Sequence, residues 1–115
     1  MVSEPGYFTL AVEDLDRAMK FYGEVLGWEF DVGTGESEGS AHISNIGLPG
    51  GLHTTATDPH SNLYFMVDDL DAALAKVRAS GGRAERVANS PSGRNVVCFD
   101  DQGTRFTLWE PAPGY

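Results

Sequence analysis

The octapeptide Val12-Glu13-Asp14-Leu15-Asp16-Arg17-Ala18-Met19 comes back as Val67-Asp68-Asp69-Leu70-Asp71-Ala72-Ala73-Leu74, at a spacing of 55 in a chain of 115 residues. Gly27 comes back as Gly82 at the same spacing. In each copy an alternating apolar run stops, an aspartate offers a side-chain oxygen to the free N–H groups of a helix start, and apolar residues follow at helical intervals. A repeat at about half the chain length means two copies of one unit filling the whole chain. Such a fold normally places its working surface where both halves contribute side chains, so function is sought at the seam.

Outward from the repeat, Tyr7 to Val12 alternates as a strand does, and Leu15, Ala18, Met19, Tyr22, Val25 and Leu26 give the first helix its apolar spacing. Gly27 is placed to stop that helix in the left-handed conformation. Strands are predicted at Trp28 to Asp31 and Ala41 to Ile46, with a loop from Gly33 to Gly39 and a last short strand entered through Leu48-Pro49-Gly50-Gly51-Leu52. Thr57 to Ser61, around Pro59, is the only plausible linker. The pattern then restarts with a strand from Leu63 to Val67 and a helix from Asp69 to about Ala79. Runs at Arg83 to Val87, Asn95 to Phe99 and Arg105 to Glu110 complete it, divided by Ser90-Pro91-Ser92-Gly93 and Asp100-Asp101-Gln102-Gly103.

A content of 41% hydrophobic and 10% aromatic residues supplies a core for one domain at this length, with too little chain for a second beside it. No stretch approaches the roughly 18 apolar residues of a membrane span, and no signal-peptide pattern opens the chain, so a cytoplasmic protein without a membrane partner is expected. Cys98 is the single cysteine, which rules out an internal disulfide and a thiolate metal cluster within one chain. Between Val97 and Phe99 it reads as an inert strand residue. The formal charge of −9 repels phosphate backbones, so nucleic acid is not an expected partner. That charge favours a cationic small molecule if it lies near the cleft; otherwise it is a solvated face.

Asp14-Leu15-Asp16-Arg17-Ala18, Phe21-Tyr22, Val25 to Phe30, Val67-Asp68-Asp69-Leu70, Gly81-Gly82 and Asp101 to Trp109 carry a resemblance over nearly the whole chain. It resembles the vicinal oxygen chelate superfamily, the glyoxalase/bleomycin resistance protein/dioxygenase group. Gly27-Trp28-Glu29-Phe30 and Pro49-Gly50-Gly51-Leu52 are similar to signatures of a small bacterial glyoxalase-like branch. The resemblance implies an α+β fold in which two βαβββ modules form a curved mixed sheet with an inner cleft and helices outside. The expected organisation is a single domain, with module one at about 5–57, a linker at about 58–61 and module two at about 62–113. Relatives of this size imply a homodimer, with modules paired within a chain or across the dimer.

Enzymes of the superfamily mostly bind a divalent metal through His, Glu or Gln on the concave sheet. Carried onto this chain, the ligand positions fall on Tyr7, on Asn62, on Thr107 and near Gly51 to His53, where His53 alone can coordinate. One imidazole with hydroxyls and an amide is a poor set for a divalent ion. The expectation is therefore no metal and no other cofactor, with a divalent ion at a non-standard site as the weaker reading. His42, His53, His60 and Glu110 are its candidates, although no two of the histidines have the close spacing that aims them at one ion.

Strand alternation predicts what replaces the ligands. Tyr7, Thr9 and Ala11 share the cleft face while Phe8, Leu10 and Val12 form core. Asn62, Tyr64 and Met66 face the cleft with Leu63, Phe65 and Val67 behind, and Arg105, Thr107 and Trp109 face it with Phe106 and Leu108 behind. The cleft reads as aromatic, polar and uncharged, suited to a flat molecule stacked between rings, with His42 and His53 as further polar contacts. The competing reading has Tyr7, Tyr64 and Trp109 packing on one another or on a partner. Arg105 clamps a carboxylate, stacks on Trp109 or pairs with an acid such as Glu110. Asp68-Asp69 and Asp100-Asp101 read as cap and turn residues.

Binding ranks first among the functions: a metal-free small-molecule binding protein of the glyoxalase/bleomycin resistance type, holding an aromatic or cationic ligand. The alternatives are a metal-dependent lyase, isomerase or dioxygenase of the same superfamily, and an interaction or regulatory subunit without ligand. No catalytic residue is assigned, and whether the chain is an enzyme stays open.

Overall fold

The computed structural model describes residues 2–34, 38–55 and 58–114. The middle of the loop expected at Gly33 to Gly39 and the start of the linker at Thr57 lie outside them. Among the described residues there are nine strands and two helices, and the expected α+β class holds. They fall into two compact units, 7–62 in one and 63–114 with the segment up to Gly6 in the other.

The first unit takes in β1 (Pro5–Val12) from Tyr7 onward, α1 (Leu15–Leu26), β2 (Phe30–Val32), β3 (Ser40–Ile43) and β4 (Gly50–Thr54). Its sheet runs β2-β3-β4-β1, with β1 and β4 parallel and the other pairs antiparallel. Asp14 caps α1 as expected, its Oδ1 accepting the Arg17 N–H at 3.0 Å, and Gly27 ends the helix at φ 71°. Asn45 ties down the next corner: its side chain accepts the Glu29 N–H and donates to the Gly27 carbonyl, both at 2.9 Å. Ala11, Ala41, Ile43 and Leu52 are buried. Beside them Trp28 stacks on Tyr22 at 5.3 Å and meets Phe8 at 5.9 Å, which joins α1 to the sheet through rings. Helical spacing overstated the burial of α1. None of its residues is fully buried, and Phe21, Val25 and Leu26 are exposed: periodicity marks an apolar face without saying what covers it.

The second unit holds most of β5 (His60–Met66), then α2 (Leu70–Ala79), β6 (Arg83–Ala84), β7 (Ala88–Ser90), β8 (Gly93–Phe99) and β9 (Arg105–Pro111). Its strands run β5-β9-β8-β6, with β5 and β9 parallel, and β7 also pairs with β8. Asp69 repeats the cap, its Oδ1 accepting the Ala72 N–H at 3.0 Å. Leu70, Leu74, Val96, Cys98 and Leu108 form the core between α2 and the sheet. Each fully buried aliphatic side chain here contributes about 1.5–3 kcal/mol. Of the strand expected from Arg83 to Val87 only β6 is strand, and β7 follows beyond it at Ala88–Ser90. β6 pairs with Phe99 and Cys98, the Glu85 N–H continues to the Val97 carbonyl at 2.9 Å, and β7 pairs with Asn95 to Gly93. β5 starts at His60 rather than Leu63, so His60 and Ser61 are strand, and Leu63, expected as core, is 47% exposed.

Candidate functional site

Register assembles the site of the first unit. Thr9 pairs with Gly51, Gly51 with His42, and His42 with Asp31, which sets one row across β1, β4, β3 and β2. Ala11, His53 and Ser40 form the next row. Partners in register share a face, and this face is opposite the one that holds Phe8, Leu52, Ala41 and Ile43. Tyr7, two residues before Thr9, belongs to it as predicted. A cavity of about 420 Å³ opens here, with Tyr7, Thr9, Asp31, Ser40, His42 and His53 supplying its polar side chains.

The Tyr7 hydroxyl lies over Gly51. A Cβ on Gly51 would stand 3.4 Å from that hydroxyl, an ordinary contact, and 2.9 Å from the Ala41 carbonyl oxygen, so it is the close approach of β3 that keeps the position bare. Thr9 is 9% exposed, and the Asn62 amide, 6% exposed, donates to its hydroxyl at 3.4 Å. His53 Nδ1 lies 3.3 Å from the Thr54 carbonyl oxygen. A proton on Nδ1 satisfies that carbonyl and leaves Nε2 as an acceptor. His42 is exposed at the rim, and His60 Nδ1 is turned to the Asp58 carbonyl oxygen at 2.9 Å.

In the second unit Tyr64 pairs with Thr107 and Thr107 with Val97; Met66 pairs with Trp109 and Trp109 with Asn95. Tyr64, Met66, Arg105, Thr107 and Trp109 thus share one face, opposite the α2 core, as alternation predicted. Met66 is 42% exposed and Arg105 is exposed, while Thr107 is 1% exposed. The Thr107 hydroxyl has no hydrogen-bond partner among the described residues. Trp109 is partly spoken for: its Nε1 donates to the Ser92 carbonyl at 3.1 Å. A Cβ on Gly6 would fall 2.8 Å from Met66 Sδ and 4.0 Å from the Trp109 ring, so the N-terminal strand seats both side chains.

Two groups named in the sequence have structural work instead. Glu110 accepts the Leu70 N–H at 2.8 Å and pairs with Arg94 at 3.2 Å, and both partners hold its carboxyl below the usual range. Asp100 accepts the Gln102 and Thr104 N–H groups at 2.8 and 2.9 Å, which keeps its carboxyl low and fixes the turn before β9. Cys98 is fully buried, and burial pushes its thiol up. Among the described residues, no three His, Cys, Asp or Glu side chains are grouped so as to hold a metal ion. No helix there is long and apolar enough to cross a membrane.

Asp31 and Ser40 were missed as cavity residues, and with Asp31 the expectation of an uncharged surface fails on this side. Asp31 lies on a three-residue strand that begins two residues later than the pattern indicated, and its face follows only from pairing with His42. Ser40 needed the same knowledge of register against His53.

A profile described as the Glyoxalase/Bleomycin resistance protein/Dioxygenase superfamily matches residues 5–108. CFP32 of Mycobacterium tuberculosis, provisionally named a glyoxylase, is 32% identical over 126 aligned positions, covering 98% of this chain and 47% of that protein. The chain thus spans about half the length of the first such relatives. The lactoylglutathione lyase of Haemophilus influenzae is 33% identical over 105 positions, with 76% of each chain covered. Among solved structures, methylmalonyl-CoA epimerase from Mycobacterium tuberculosis superposes with a TM-score of 0.67 at 23% identity, over 95% of this chain and 88% of that one, a likeness of fold. With the duplicated unit, the two strand-helix modules and the matched span in agreement, the chain belongs to the Glyoxalase/Bleomycin resistance protein/Dioxygenase superfamily.

Proposed function

We propose that the chain is a metal-independent small-molecule binding member of this superfamily, and that its ligand is a flat molecule held in the Tyr7, Thr9 and His53 cavity. The observation that carries the reading is the make-up of that cavity. It has the volume of a small ligand site, a tyrosine hydroxyl over a glycine, and hydroxyl and imidazole groups around it. The donors do not fit a divalent ion. Tyr7, Asn62 and Thr107 stand at three positions where the superfamily has metal ligands, the Asn62 amide is bonded to Thr9, and Thr107 is a hydroxyl. The proposal includes a cytoplasmic homodimer, which light scattering tests for its oligomeric part.

The name of one relative, lactoylglutathione lyase, favours a second reading, an enzyme of the lyase type, and the superfamily resemblance makes it a metal-dependent one. One experiment separates the two: metal content of protein purified without chelator, with thermal shifts over Ni, Mn, Fe, Zn and Co. Binding without metal predicts substoichiometric metal and no shift. Stoichiometric metal, or stabilisation well above ~1 kcal/mol at modest excess, hands the cavity to the second reading, with His53→Ala as the variant to examine.

A further inference from the structure

We infer that Asp31 selects a cationic ligand for this cavity, so that the bound molecule is a flat ring system carrying its positive charge at the β2 edge. The inference rests on the ligand cavity proposed above and adds the charge and length of what enters it. Among the described residues that line the cavity, Asp31 is the only carboxylate, and neither Lys nor Arg is among them. A cation entering meets one fixed negative charge and no fixed positive one, and an anion meets the reverse. The chain's overall charge of −9 adds to the preference without localising it.

Register sets the length. The Tyr7 hydroxyl lies over Gly51, Gly51 is paired with His42, and His42 with Asp31. Two strand spacings of about 4.8 Å put Asp31 roughly 10 Å from the row position beneath the phenol. A tricyclic aromatic cation spans that interval across His42, with one end against the Tyr7 hydroxyl over Gly51 and the charged end at Asp31. The chemistry is that of a charge-assisted hydrogen bond at one end and a hydrogen bond to the phenol at the other.

The test titrates the full chain with three fluorescent tricycles of similar outline: proflavine as the cation, acridone as the neutral ring and anthracene-2-carboxylate as the anion. Asp31→Asn keeps the shape and removes the charge. Glu85→Gln, at an exposed carboxylate in the other unit, removes a charge elsewhere. Proflavine is expected to bind tightest. Asp31→Asn should weaken it about tenfold, leave acridone within about twofold and improve the anion, while Glu85→Gln changes none of them. Equal affinity for all three ligands, or equal effects of the two variants, overturns the selection by Asp31. In that case loss of all three ligands in Tyr7→Ala still upholds the cavity itself. If no tricycle binds, or Tyr7→Ala leaves each affinity unchanged, the cavity reading fails and this inference with it.

Discussion

The Glu110 carboxylate on β9 accepts the first backbone N–H of α2, from Leu70, at 2.8 Å, across 40 residues of sequence. Arg94, its partner in register on β8, holds the same carboxylate at 3.2 Å and lies 3.6 Å from Asp71 in the first turn of the helix. One acid on the closing strand thus satisfies a terminal N–H that the Asp69 cap leaves open and fixes where α2 meets the sheet.

Acid should weaken this joint. The Leu70 N–H and then Arg94 hold the Glu110 carboxyl below its ordinary value, and the N–H groups of Thr104 and Gln102 do the same for Asp100. With both values depressed on folding, the unfolded chain takes up protons first. The stability they give is complete above the ordinary carboxylate values near 4 and is lost as pH falls through the lower, folded ones. Melting temperature should therefore drop steeply below about pH 4, and Glu110→Gln should flatten that drop. A variant with the unaltered slope would show that the Glu110 contacts do not set it.

Burial makes Cys98 a reporter of unfolding. Its side chain is fully enclosed by the Leu70, Leu74, Val96 and Leu108 cluster, and burial pushes the thiol up. A disulfide reagent should leave it unmodified in the native protein at neutral pH and modify it fully in denaturant. Cys98→Ser buries a hydroxyl in the same apolar space and should cost about 1–3 kcal/mol. Rapid modification of native protein would place the thiol outside the core.

Gly51 carries a steric prediction. An alanine methyl there would meet the Ala41 carbonyl oxygen at 2.9 Å, too close without a backbone shift, while its 3.4 Å to the Tyr7 hydroxyl is an ordinary contact. Gly51→Ala should destabilise by about 1–2 kcal/mol and weaken binding of a cavity ligand, because relief requires β3 and β4, which both line the cavity, to move apart. Unchanged affinity, measured by the same titration in both proteins, would take this part of the β3–β4 pair out of the ligand's path.

The readable parts of this chain were those written into local chemistry. Asp14, Gly27, Asp69 and the Asp100 turn announce themselves because capping and turn groups act within a few residues. The parity of Tyr7 with Thr9, and of Arg105 with Thr107 and Trp109, follows from the two-residue period of a strand. What stayed hidden depends on distance in sequence. The partnership of Glu110 with Leu70 joins a strand to a distant helix start, while the row from Thr9 to Asp31 and the short pieces β6 and β7 are fixed by register between strands. Helical spacing likewise marked Val25 and Leu26 as apolar, but what covers a helix face is decided by tertiary packing.

Thr107 separates a structural hydroxyl from a functional one. It stands in mid-strand between Tyr64 and Val97, 1% exposed, with its Oγ1 lacking any partner among the described residues. Enclosing an unbonded hydroxyl costs about 1–3 kcal/mol, and valine has nearly the same shape without the polar atom. If the threonine serves only packing, Thr107→Val should stabilise the protein by up to about 1–2 kcal/mol and leave ligand affinity alone. If the hydroxyl is kept for a ligand, the same variant gains stability and loses affinity several-fold. The cavity proposed here lies in the first unit, so the expected result is stabilisation with unchanged affinity, read from a denaturant melt and the titration together. A several-fold loss of affinity would overturn the assignment of the binding site to the first unit.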